Sequence, residues 1–121
     1  MILFLDNDPQ RAVMAFNRMS EEDRSNTIWC RTVEEAIATL RDYPLTKVYM
    51  EHDLCGEFAN TKREDCGMEV IRYLEKLDEK QMSKFLSTRF TIHTWNDHAG
   101  PIMVERLLKL GLDARLKPFG M

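Results

Sequence analysis

The sequence predicts a single α/β domain built on a parallel sheet of five strands, and three observations predict it. Short apolar runs alternate with stretches of helical periodicity along the whole chain. The first run is apolar without a break, as a strand buried on both faces must be. A length of 121 residues suits one domain, since single domains commonly run about 100–150 residues. An apolar content of 44% is enough for a core.

Met1 to Leu5 is the first strand. Asp8 followed by Pro9 marks a helix start, an acceptor side chain ahead of a proline that fits the first helical position. Ala12, Val13, Phe16 and Met19 then recur at helical spacing to about Ser20. Thr27 to Cys30 is a short second strand. Thr32 and Glu35 form a capping box ahead of an apolar stripe of Val33, Ala36, Ile37 and Leu40, and Tyr43-Pro44 ends that helix. Lys47 to Glu51 is the third strand. Residues 54–66 are polar and lack periodicity, which predicts a long loop; loops of about a dozen residues are uncommon and often functional. Gly67 precedes a helix bearing Val70, Ile71, Leu74 and Leu77. Arg89 to Thr94 is the fourth strand, Asn96 caps a helix that runs through Leu110 and stops at Gly111, and Asp113 to Lys117 is the fifth strand.

No helix has room to form after Lys117, which predicts that part of one sheet face is left uncovered. The last two strands suit that arrangement. Phe90 and Ile92 alternate with Arg89, Thr91 and His93, while Ala114 and Leu116 alternate with Asp113, Arg115 and Lys117. One apolar face and one wet face are expected, the wet one available to a homodimer or another partner.

Composition narrows the function classes. A net charge of −3 argues against non-specific nucleic-acid binding, which calls for a clustered basic surplus. No stretch approaches the roughly 20 apolar residues that span a bilayer. The N-terminus lacks a basic leader and meets Asp6 and Asp8 at once, unlike a signal peptide. The three cysteines, Cys30, Cys55 and Cys66, are odd in number and irregularly spaced, so a reducing, cytoplasmic setting is expected.

In parallel sheets ligands sit at the carboxyl ends of the strands, and here those ends carry the chemistry. They read Asp6-Asn7-Asp8, Glu51-His52-Asp53, His93-Thr94-Trp95-Asn96 and Lys117-Pro118. Asp6, Asp8 and Asp53 brought together would repel unless a divalent cation neutralised them, and an all-oxygen set suits Mg²⁺ or Mn²⁺, which also recruit phosphate. Lys117, Thr94 and Asn96 are the candidate phosphate holders. His52 and His93, with Asp53, are the candidate catalytic groups, because imidazole transfers protons near neutral pH. Alternation puts His93 on the same side as Thr91, with Lys117 pointing the same way on the next strand. Taken singly, Asp6 and Asp8 read better as turn and cap residues, and either histidine reads equally well as a hydrogen-bonded structural side chain. His98 reads as a surface residue or an anion contact, and Trp95 as a stacking platform or a core residue. Lys62 and Arg63 read as solvated cations or phosphate clamps. A zinc site of His52, Cys55 and Cys66 lacks a fourth ligand.

The segments FLDND, EHDL, Gly67-Met68-Glu69-Val70 and IHTWN resemble the cyclic-phosphate processing receiver-like family, a divergent relative of response-regulator receiver domains, over essentially the whole chain. The resemblance implies a receiver-like (flavodoxin-like) fold with strand order 2-1-3-4-5, lacking the last helix. In receivers the acids matching Asp6 and Asp8 hold Mg²⁺, the one matching Asp53 accepts a phosphoryl group, and Thr94 and Lys117 would sense it. Asn7 between the acids, the flanking histidines and the missing helix set this chain apart and favour the divergent family. The expected function is divalent-metal-dependent handling of a small phosphate-bearing ligand, a cyclic phosphate or nucleotide-derived phosphoester. The alternatives are a receiver phosphorylated on Asp53, a haloacid-dehalogenase-style phosphatase with Asp6 as nucleophile, and a non-catalytic interaction module.

Overall fold

The computed structural model describes residues 1–54 and 66–120. The elements run β1 (Ile2–Leu5), α1 (Pro9–Arg18), α2 (Glu21–Ser25), β2 (Thr27–Cys30), α3 (Val33–Asp42), β3 (Lys47–Met50), α4 (Gly67–Glu75), α5 (Glu79–Met82), a 3₁₀ turn (Ser83–Phe85), β4 (Arg89–Ile92), α6 (Ala99–Lys109) and β5 (Asp113–Leu116). The five strands form one sheet in the order β2-β1-β3-β4-β5, every pair parallel. This is the flavodoxin-like order that the family resemblance implies.

Local chemistry accounts for the boundaries. The Asp8 side chain accepts from the Gln10 amide and starts α1 with Pro9 in its first turn. Thr32 and Glu35 bond reciprocally at the start of α3. Gly111 takes φ +82 just past α6, a left-handed conformation that glycine adopts without penalty. Two short helices were not anticipated. Ser20 caps α2 by accepting from the Asp23 amide, and Asp78 with Gln81 makes a capping box for α5, so both starts carried a readable signal.

β1 is buried along its whole length because helices or aromatic rings cover it on both sides. On one side Leu3, Leu5, Val48, Met50, Phe90 and Ile92 pack with α3, α4 and α6 in the main core. On the other Phe4 packs with Ala12 and Ala15 of α1, joined by Trp29, Tyr49 and Phe119. That second side carries α1, with Asp23 of the short α2 at its border, and side chains wall much of the rest.

Strand pairing ends at Leu5, Met50, Ile92 and Leu116, one or two residues earlier on the last three than the sequence pattern suggests. The freed residues after each end build the candidate site. The wet face expected on β4 is dry at its carboxyl end: Thr91 and His93 are 4% and 3% exposed. His93 lies between the Phe4 and Phe119 rings, and Arg115 reaches the Thr91 hydroxyl at 3.4 Å. Leu116, expected on the apolar face, is exposed at the sheet edge. Trp95 is 62% exposed, not core, and its indole N–H donates to the Phe119 carbonyl. No described helix is long and apolar enough to cross a membrane.

Candidate functional site at the strand ends

Asp6 follows β1 and is fully buried, and its carboxylate takes part in four hydrogen bonds. Arg11 Nε and Nη2 donate to its two oxygens at 2.8 and 2.9 Å, the Asp8 amide donates at 2.9 Å, and His93 Nε2 lies 2.9 Å from Oδ2. Burial alone would raise this carboxyl, but the bonds from His93, Arg11 and the Asp8 amide outweigh it and hold the group at about 2. Arg11, in the first turn of α1, also approaches Asp8 at 3.4 Å and Glu51 at 3.5 Å. One guanidinium therefore serves all three carboxylates.

A second cluster follows β3. Asp53 Oδ1 lies 2.6 Å from His52 Nδ1 and accepts from Asn96 Nδ2 at 3.2 Å. His52 is fully buried beside Cys66, and its Nε2 has no hydrogen-bond partner among the described residues. Burial disfavours its charged form, yet Cys66 and Asp53 outweigh that and raise its pKa. Burial likewise pushes the Cys66 thiol up, but His52, the Met68 amide and the charge of Arg72 bring it below its ordinary value. Gly67 lets α4 start hard against this segment: a Cβ there would stand 2.1 Å from the Glu51 carbonyl oxygen and 2.8 Å from His52 Cα.

Among the described residues, the atoms close enough to share a metal ion belong to Asp6, Glu51 and His93, all within 4.8 Å of one another. The set expected from the sequence, Asp6 with Asp8 and Asp53, does not gather. Asp8 caps α1 and Asp53 turns to His52 and Asn96. Nor does the cluster fit Mg²⁺ or Mn²⁺ as it stands, because Arg11 spans both oxygens of Asp6 and supplies the neutralising charge. Thr94 is buried, its hydroxyl accepting from the Asn96 amide. Asn96 is engaged at both ends: Oδ1 accepts from the His98 and Ala99 amides at the start of α6, and Nδ2 donates to Asp53. Lys117 is exposed and, as alternation predicts, lies on the same side as Thr91 and His93. Of the zinc trio, His52 and Cys66 meet; Cys55 lies outside the described residues, as do Lys62 and Arg63.

Sequence reasoning missed Arg11, Glu51 and Phe119 as site residues and weighed Cys66 only as a zinc ligand. Arg11 stands three residues after Asp8, the spacing at which helical neighbours pair, so its role was readable. Glu51 was visible at a strand end but was not chosen. Phe119 had no signal, since its contact with His93 depends on where the chain turns after β5.

The parallel 2-1-3-4-5 sheet, with acidic and histidine side chains at its carboxyl ends, defines a receiver-like α/β domain. Solved structures share that fold. The CheY-like response regulator receiver domain from Methanospirillum hungatei JF-1 matches with a TM-score of 0.62 and 16% identity, over 99% of this chain and 81% of that one. The non-phosphorylated HemR receiver domain from Leptospira biflexa gives 0.62 and 19%, over 99% and 82%. A response regulator from Burkholderia pseudomallei, with a phosphorylated aspartic acid, calcium ion and citrate, gives 0.58 and 14%, over 96% and 58%. At these identities the likeness speaks to fold alone. No curated protein sequence matches the chain. Residues 1–109 match the family described as the cyclic-phosphate processing receiver domain, and the chain belongs to that family.

Proposed function

We propose that this domain processes a small phosphate-bearing ligand, opening a cyclic phosphodiester to a monoester, with His93 and His52 as proton carriers. The observation that carries the reading is the buried Asp6–His93 pair. A carboxyl held at about 2 is ionised at neutral pH and only accepts, so His93 Nε2 carries the proton and donates to it. When the ring is neutral its lone pair lies on Nδ1, which is buried and has no hydrogen-bond partner among the described residues. An orphaned imidazole nitrogen, oriented by an ionised carboxylate, is the arrangement of a general base.

In this mechanism water attacks phosphorus while Nδ1 takes its proton, and Asp6 stabilises the imidazolium that forms. The ring P–O bond breaks, and the departing oxygen needs a proton. His52 suits that step, because Asp53 and Cys66 raise its pKa and so favour the protonated ring. Lys117 supplies positive charge for the phosphate. The test is phosphorus NMR of five- and six-membered cyclic phosphodiesters incubated with the full chain. His93→Asn and His52→Asn should each lower turnover about a hundredfold or more. Undiminished turnover in His93→Asn, or none in the wild type with any of these compounds, refutes the reading.

A second reading, metal assistance by Mg²⁺ or Mn²⁺, rests on the Asp6, Glu51 and His93 atoms within 4.8 Å of one another. It requires Arg11 to release Asp6. On this reading Mn²⁺ raises the melting temperature of Arg11→Met more than that of the wild type; no effect on either protein sinks it.

A further inference from the structure

The sheet face that carries α1 holds a solvent-open cavity of about 350 Å³, separate from the carboxylate cluster but sharing His93 with it. Among the described residues its wall includes Arg18, Lys47 and Lys117 and one carboxylate, Asp23 of α2, which Lys47 meets at 3.4 Å. The cavity thus carries a cationic surplus in a chain whose net charge is −3. Among the described residues neither Arg18 nor Lys117 pairs with a carboxylate; Arg18 instead lies 5.3 Å over the Phe119 ring. Two half-buried aromatic residues, Tyr49 and Phe119, complete the wall. The volume is at the lower end of the about 300–1,000 Å³ typical of small-molecule sites, and well beyond what a bare phosphate needs.

We infer that this cavity binds a small phosphorylated ligand carrying a flat ring, of nucleoside monophosphate size. Its phosphate meets Arg18 and Lys117, and its ring lies along Tyr49 and Phe119. Guanidinium and ammonium groups make strong charge-assisted bonds to phosphate oxygens, and a cleft lined by one sign of charge concentrates anions. Stacking on aromatic side chains holds a base without reading its identity. The inference rests on the function proposed above for the role of His93 alone, since His52 does not line this cavity, and it places the ligand on the α1 side of that imidazole rather than among the carboxylates.

The experiment titrates adenosine monophosphate, ribose 5-phosphate, inorganic phosphate and adenosine into the full chain, followed by calorimetry and by the amide signals of Tyr49, Thr91 and Phe119. Adenosine monophosphate should bind most tightly and shift those amides, with ribose 5-phosphate, phosphate and adenosine each at least about tenfold weaker. Arg18→Glu with Lys117→Glu should weaken the nucleotide at least about tenfold. Both side chains are exposed, and an unchanged melting temperature verifies that the fold survives; Arg18→Gln with Lys117→Gln should fall between. Unmoved amides at millimolar ligand, or binding indifferent to the charge reversal, overturns the site. Equal affinity for phosphate and nucleotide overturns the ring. Concentration-dependent shifts of these amides without ligand show a second copy on this face and overturn the assignment. Nucleotide binding that the reversal weakens, without opening of any cyclic phosphodiester, upholds the cavity and refutes the catalytic reading instead.

Discussion

Replacing Arg11 by Met keeps the aliphatic stem of that side chain and removes the cation that Asp6, Asp8 and Glu51 share. Asp6 is fully buried, so its charge depends on that partner. The gap between 3.8, the ordinary value, and about 2 measures how far the folded site favours the ionised carboxylate, burial already counted. At about 1.4 kcal/mol per tenfold in proton affinity, it corresponds to about 2 kcal/mol. Removing one partner of a buried pair commonly costs about 3–5 kcal/mol. Arg11 is itself 31% exposed, so solvent screening lowers the expected loss to about 2–3 kcal/mol near neutral pH. The loss has a pH signature. In the wild type the Asp6 contribution is fully present above its unfolded value of 3.8 and disappears as pH falls through about 2. In the variant the carboxyl takes its proton at higher pH, which relieves the lone buried charge. The stability gap between the two proteins therefore narrows from about pH 7 to about pH 3. Urea unfolding of both proteins at the two pH values measures it. A gap under about 0.5 kcal/mol at neutral pH, or one that stays constant, would refute the view that Arg11 neutralises this cluster.

Two further substitutions test how the site is held. Gly67→Ala sets a Cβ against the backbone of Glu51 and His52, which cannot yield as a side chain can. It should cost about 3 kcal/mol or more in thermal unfolding, and a loss below about 1 kcal/mol would show that the α4 approach is not tight. Asn96→Ala removes both the bonds at the α6 start and the donor to Asp53, and should cost about 1–2 kcal/mol. Asn96→Asp keeps the acceptor at α6 but faces the Asp53 carboxylate with a second one. It should therefore be less stable at neutral than at acidic pH relative to the wild type; equal losses at both would argue against the Asn96–Asp53 bond.

The sequence by itself determined the alternation of strands and helices, the unbroken burial of β1, the caps at Asp8 and Thr32 and the stop at Gly111. Each follows from local chemistry: periodicity, a proline, a side-chain acceptor, a residue that tolerates positive φ. It also marked the strand ends as the place for acids and histidines, since a parallel sheet exposes its ligand site there. Only the tertiary structure decided which of those groups meet. Repulsion among Asp6, Asp8 and Asp53 argued for an external cation, but α1 swings Arg11 back over the β1 end, and a guanidinium does that work from within. Asp8 was claimed by its helix and Asp53 by His52 and Asn96, because a carboxylate bonds to the donors its own backbone brings nearest. His93 became buried, rather than wet, through Phe119, a contact set by the path of the chain after β5. Local pattern fixes which residue types reach a strand end; the partner each one takes depends on distances between elements far apart in sequence, and those exist only once the sheet has closed.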